Sequence, residues 1–213
     1  MKNKRNLSII IAFSVFACIL LLDLLTKGLI IPNLIPNVGD SINVIPGFIN
    51  FVYVKNTGAA WGMMEGRPVF LIIISIIVLG LLIAYYILRL KKTGNKSSVL
   101  FGLSIGLVAG GCLGNLFDRI AFGYVRDFIN FQFVEFPVFN FADVALTAGM
   151  IVILIYFAFY YSKEEKLLKN QEKTEKNEEI MAISSNLKEK DDEIASKEET
   201  TNSHEKRGED NEG

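Results

Sequence analysis

Four long apolar runs, at about 7–30, 69–90, 98–117 and 138–161, alternate with stretches of mixed polarity. Each is close to the ~20 apolar residues a helix needs to cross the hydrocarbon core of a bilayer, so the pattern predicts four transmembrane helices. The second run is almost uniformly Ile, Leu and Val, which predicts a helix turned mostly towards lipid. The third carries Gly102, Gly106, Gly110 and Gly114 at every fourth position. Small residues so spaced form a smooth ridge along one helix face and predict close helix packing. Residues 32–68 are punctuated by Pro32, Pro36, Gly39, Pro46 and Gly47, and within them 48–54 is rich in aromatic and β-branched types, which predicts a strand. Residues 124–134 alternate apolar and polar over most of their length and predict a second extended segment. The expected fold is an α-helical integral membrane protein, four transmembrane helices with a small β-containing loop region. Residues 1–161 form its membrane domain, with loops at 31–68 and 118–137.

Composition divides the chain. Residues 1–161 hold 12 Lys+Arg against 7 Asp+Glu, and residues 162–213 hold 10 against 16. The near-neutral total is therefore a basic apolar body followed by an acidic polar tail, with part of 163–181 able to form a charged helix and the rest expected to be disordered. Ten Lys and Arg flank the amino terminus, the 89–96 loop and the first turns after 161, against five on the other side. By the positive-inside rule both termini face the cytoplasm and the loops at 31–68 and 118–137 face outward. Lys2, Lys4 and Arg5 before an apolar run also begin a cleaved signal peptide, and Val15-Phe16-Ala17-Cys18 has the outline of a lipobox. Phe16 is bulky where a small residue is preferred, and the apolar run continues past Cys18, so an uncleaved span is expected. Cys18 and Cys112 both lie in spans, with no spacing suited to zinc, and His204 in the tail is the only histidine.

The chemistry concentrates between residues 110 and 143. Gly110-Gly111-Cys112-Leu113-Gly114-Asn115-Leu116-Phe117-Asp118-Arg119 is followed by Val125-Arg126-Asp127-Phe128 and by Phe139-Asn140-Phe141-Ala142-Asp143. Ionisable groups at the edge of apolar spans are costly and usually functional. Two carboxylates that meet share a proton, because both cannot ionise cheaply, and such a pair can activate water against a peptide carbonyl. Asp127 and Asp143 are the expected pair, with Asp118 open as an alternative and Asp143 the expected ionised partner because a helix amino terminus favours negative charge. Asn140-x-x-Asp143 also reads as a variant capping box, with Asp143 about 8 Å below a helix start near 138. Asn115, Asp118 and Arg119 share a helix face, where Arg119 is expected to neutralise or hydrogen-bond a carboxylate. Asp23 and Lys27, one turn apart, form a neutralising pair, with the active site as a second possible destination. Asn56-Thr57-Gly58 signals a turn, Asn56 is a candidate to hydrogen-bond a bound peptide, and Trp61 suits a membrane–water interface. On these residues alone an aspartic peptidase competes with a small ion- or proton-coupled transporter, which would place its carboxylates near the bilayer midplane, and with a structural membrane subunit.

Five blocks in order resemble the lipoprotein signal peptidases, also called signal peptidase II: Asp23-x-x-Thr26-Lys27, Asn56-Thr-Gly-Ala-Ala-Trp61, Gly110-Gly-x-x-Gly-Asn115-x-x-Asp118-Arg119, Val125-x-Asp127-Phe128 and Phe139-Asn140-x-Ala142-Asp143. The resemblance covers about residues 7–161. It implies an aspartic endopeptidase that removes signal peptides from prolipoproteins, cutting before a diacylglyceryl-modified cysteine. By position it implies Asp127 and Asp143 as the catalytic dyad, with Asn56, Asn115, Arg119, Asn140, Asp23 and Lys27 as substrate-binding or supporting residues. Trp61 departs from the family pattern, where phenylalanine is more usual. The expected partners are diacylated prolipoprotein signal peptides and membrane lipids, not nucleic acid, and a monomer is expected. No metal or organic cofactor is expected, since two aspartates suffice.

Overall fold

The computed structural model describes residues 4–58, 63–94 and 98–163, and most helical residues from there to 184. In chain order the elements are α1 (Lys4–Leu34), β1 (Ser41–Ile45), β2 (Ile49–Asn56), α2 (Pro68–Thr93), α3 (Val99–Phe122), β3 (Val125–Phe131) and α4 (Phe141–Ile155), with a π-helical turn at Tyr156–Tyr161. Among the described residues four helices are long and apolar enough to cross a membrane. The chain divides after Tyr161. Beyond that point the described residues up to 184 are helical.

The helix ends follow from local chemistry. Pro68 opens α2, where its missing N–H costs nothing. Ser98 caps α3 by accepting from the Phe101 amide. Gly123, at φ 81°, closes α3 in the left-handed region with its N–H on the Arg119 carbonyl. That close comes five residues beyond the apolar run, at Phe122. At α4 the helix begins at Phe141 and not near 138. Residues 138–140 stay extended because Phe139 pairs with Ile129 as an isolated bridge.

α3 is the axis of the bundle. Two-thirds (67%) of its most apolar window is buried, against 11% in α1 and in α2, so the latter two turn most of their surface to lipid. The ridge on α3 faces α1. A Cβ built on Gly102 or Gly106 would lie 2.5 Å from the Ser8 or Ala12 carbonyl oxygen, and one on Gly110 would lie 2.9 Å from Ile19. On the opposite side Gly149 of α4 would meet Val108 at 2.6 Å. Backbones therefore touch on both flanks of α3, which replaces the hydrophobic drive that lipid removes.

The sheet is antiparallel in the order β1-β2-β3. β2 covers the expected strand. β1 was not apparent in the sequence, being short and exposed at every position. In β3 the alternation of residues 124–134 fails at Asp127, Phe128 and Ile129, all three buried. One face of β3 meets the polar site, and the other packs Phe128 with Ile31, Ile35 and Tyr53. A second apolar cluster, with Ala12, Tyr86, Phe101, Ile105 and Tyr156, binds α1, α2, α3 and the π-helical turn.

Candidate active site

Asp127 enters the site from the middle of β3 and is 1% exposed. Its register against Val54 on β2 brings Asn56 within reach, and Asn56 Nδ2 donates to Asp127 Oδ2 at 2.8 Å. Asn140 Nδ2 donates to Oδ1 at 2.6 Å. Burial, then the adjacent Asp143 carboxylate, push the Asp127 carboxyl up to about 7, against the two amide hydrogen bonds.

Asp143 is the third residue of α4 and closes a reciprocal capping box. Asn140 Oδ1 accepts from the Asp143 amide at 3.0 Å, and Asp143 Oδ2 accepts from the Asn140 amide at 3.1 Å. The capping reading is thus realised, and Asp143 sits about 3 Å along the helix, not 8 Å. Its other oxygen accepts from Asn115 Nδ2 at 2.7 Å. Capping is therefore only half of what holds it. Asn140 touches both carboxylates, and its Nδ2 also donates to Asn115 Oδ1 at 3.1 Å. Asp127 and Asp143 are joined through two asparagines.

Beneath this ring lies a fully buried ion network. Lys27 Nζ meets Asp23 Oδ2 at 2.8 Å and Asp118 Oδ2 at 3.2 Å, all three side chains being 0% exposed. It also donates to Asn115 Oδ1 at 3.2 Å. Asp23 Oδ1 accepts from the Ala142 amide at 3.1 Å, which ties α1 to the first turn of α4. The last ridge glycine makes room here, since a Cβ on Gly114 would lie 2.5 Å from Asp23 Oδ2. Asp118 is filled by Lys27, by the Arg126 amide at 3.0 Å, and by Arg126 Nη2 and Nε at 2.8 and 3.2 Å. It therefore anchors β3 to α3 and has no oxygen left to pair with another acid. The Asp23–Lys27 pair is both neutralising and part of the site.

Two of the expected site residues hold the loop beside the pair. Asn56 is engaged at each end of its amide, on Asp127 and on the Gly58 N–H at 2.9 Å, so it orients the aspartate. Arg119 donates to the Gly58 carbonyl at 3.0 Å and acts on Asp143 and Asp127 through its field. It clamps the turn that carries Asn56. Trp61, with the rest of 59–62, lies outside the described residues, as does His204. Arg126 and the backbone groups of Gly58 and Ala142 were missed in the sequence. Arg126 stood one residue before Asp127 and carried the signal of a strand cation; the backbone groups left none. Among the described residues no cluster of three or more His, Cys, Asp or Glu is placed to hold a metal ion.

The whole constellation draws on α1, β2, α3, β3 and α4. Residues 15–159 match the family model of signal peptidase (SPase) II. A lipoprotein signal peptidase of Staphylococcus carnosus (strain TM300) is 40% identical over 154 residues, 71% of this chain and 92% of that protein. One from Enterococcus faecalis (strain ATCC 700802 / V583) is 35% identical over 148 residues, 70% of this chain and 88% of that one. A solved bacterial membrane enzyme superposes with a TM-score of 0.61 at 36% identity, over 70% of this chain and 93% of its own.

Proposed function

The chain belongs to the signal peptidase (SPase) II family, and we propose that Asp127 and Asp143 are the pair with which it cuts. It is a multi-pass bacterial membrane peptidase that removes signal peptides from prolipoproteins. A transporter reading has no support from the relatives. The bond cut is the one before the diacylglyceryl cysteine.

The reaction needs one proton on the pair. Asp127, raised to about 7, holds it. Asp143, at the positive end of α4 and capped by two N–H donors, carries the charge. The ionised carboxylate takes a proton from water as the oxygen attacks the peptide carbonyl carbon. The protonated carboxyl gives its proton to the carbonyl oxygen. The tetrahedral adduct collapses as the C–N bond breaks. The amine leaves with a proton from one aspartate, the other recovers the hydroxyl proton, and the pair ends with one proton, as it began.

The observation that carries this reading is Asn140, which hydrogen-bonds Asp127 with its side chain and Asp143 with its backbone. Both termini lie in the cytoplasm and the pair lies near the outer face, on the excess of Lys and Arg flanking the opposite helix ends. The substrate's apolar segment and acyl chains then approach from lipid as a single polypeptide meets a monomeric enzyme. Purified protein incubated with a diacylated prolipoprotein should release the signal peptide. Asp127→Asn and Asp143→Asn should each insert normally and lose at least about a thousandfold in rate. Cleavage by either variant at the rate of the unaltered protein would overturn the assignment.

A further inference from the structure

Among the described residues seven ionisable side chains lie at this end of the bundle, four carboxylates (Asp23, Asp118, Asp127, Asp143) and three cations (Lys27, Arg119, Arg126). The other titratable neighbours inside the cluster are neutral, and Lys55 lies outside it. Cys112 on α3 is a thiol, and the Tyr53 phenol on β2 is pushed further up by burial and by its hydrogen bond with Tyr124. Lys55 is exposed and stacks on the outer Tyr124 ring at 4.9 Å. The core of this cluster is buried, with Asp143, Arg119 and Arg126 half-buried at its edge, and an unbalanced charge there is disfavoured. Four negatives against three positives balance only when one carboxylate is protonated. Asp23 and Asp118 are locked by ion pairs at 2.8 and 3.2 Å to Lys27 and at 2.8 Å to Arg126. The proton must then reside on Asp127 and Asp143.

We propose that Lys27 is the positioning residue that sets the aspartate pair to hold one proton, by completing the charge count and by fixing which way the asparagine amides point. Lys27 acts through Asn115. Asn115 Oδ1 accepts from Lys27 Nζ and from Asn140 Nδ2, so its NH2 group can only turn to Asp143. Asn140 is turned the same way, its Oδ1 held by the Asp143 amide and its NH2 on Asp127. Every amide therefore offers hydrogens to the pair, and none competes for the shared proton. Lys27 is 0% exposed and cannot reach a substrate, so its influence on cleavage is wholly indirect.

This inference rests on the peptidase reading, and its test separates the two. The full chain in bilayer mimics is titrated by infrared spectroscopy of the carboxyl C=O band, with Asp127→Asn identifying the pair's contribution, and the same samples are assayed for prolipoprotein cleavage against pH. Lys27→Met removes the cation and the donor; Lys27→Gln removes the cation but keeps a donor for Asn115 Oδ1. Both should raise the pH at which the pair loses its proton by about one unit or more, and move both limbs of the rate profile upward with little change in KM. Lys27→Met combined with Asp23→Asn restores the balance and should bring the midpoint back. A folded Lys27→Met or Lys27→Gln protein with an unmoved midpoint overturns the proposal. So does failure of all three variants to fold, which would make Lys27 a scaffold residue only. Absence of cleavage by the unaltered protein would instead count against the peptidase reading, while the infrared midpoints still decide the role of Lys27.

Discussion

Asp127 shows how a single residue can trade stability for chemistry. Its carboxyl lies near 7 in the fold against 3.8 for a free aspartate. An acid raised on folding binds a proton in the native state at pH values where the unfolded chain has already lost it. Its contribution is full below about pH 4 and is lost as pH climbs through about 7. Asp127→Asn, which cannot ionise, should therefore melt progressively higher than the unaltered protein between pH 4 and 7, with the gain levelling off above. A melting-temperature difference that is flat across that range would contradict the burial argument. Asn140→Ala should act on both aspartates at once, removing the hydrogen bond to Asp127 and the cap of α4. A cost of about 1–2 kcal/mol in stability is expected, with loss of cleavage well beyond it, measured by melting and turnover on the same sample. Asp127, Asp143 and their asparagines stood out in the sequence because polar residues are conspicuous beside apolar runs. The use of the Gly58 and Ala142 backbone did not, since every residue carries those groups and only tertiary structure selects among them.

Among the elements, α3 carries the greatest constraint. Its glycine ridge was legible from spacing alone, and close packing followed. What spacing left open was the partner, which proves to be α1 along the ridge, while α4 takes the other flank through Gly111 and Gly149. Gly106→Val would drive its side chain into the Ala12 carbonyl and Val15, and a loss of about 1–3 kcal/mol is expected, read from thermal unfolding. Gly114→Ala should behave differently. Its Cβ would meet the Asp23 carboxylate before anything else, so activity should fall further than melting temperature does. Equal effects of the two substitutions on turnover would show that the end of the ridge is not special. Strand β3 was recognised as extended, but its alternation was overread. A strand wedged between a polar site and an apolar cluster buries both faces, and period-two patterning fades there.

For the molecule as a whole, four helices of membrane-crossing length could be read from hydropathy, because length and apolarity are what a bilayer demands. The sheet was only half legible, since β1 is exposed and owes its form to pairing with β2. The match to the family model ends at residue 159, before the acidic tail. Truncation after residue 165 should leave cleavage of a diacylated prolipoprotein intact, and loss of activity in a truncated protein that still melts cooperatively would assign the tail a part in catalysis. The site's wiring also bears on how the protein is made. Asn140 and Asp143 arrive only with α4, the fourth span to leave the ribosome, and until then Asp127 lacks its shortest hydrogen bond and its partner acid. A nascent chain holding only the first three spans is thus an inert precursor, unable to attack other proteins beside it during insertion. Chains arrested before residue 139 should bind no shared proton and cut nothing, and competence should switch on in one step as the fourth span docks.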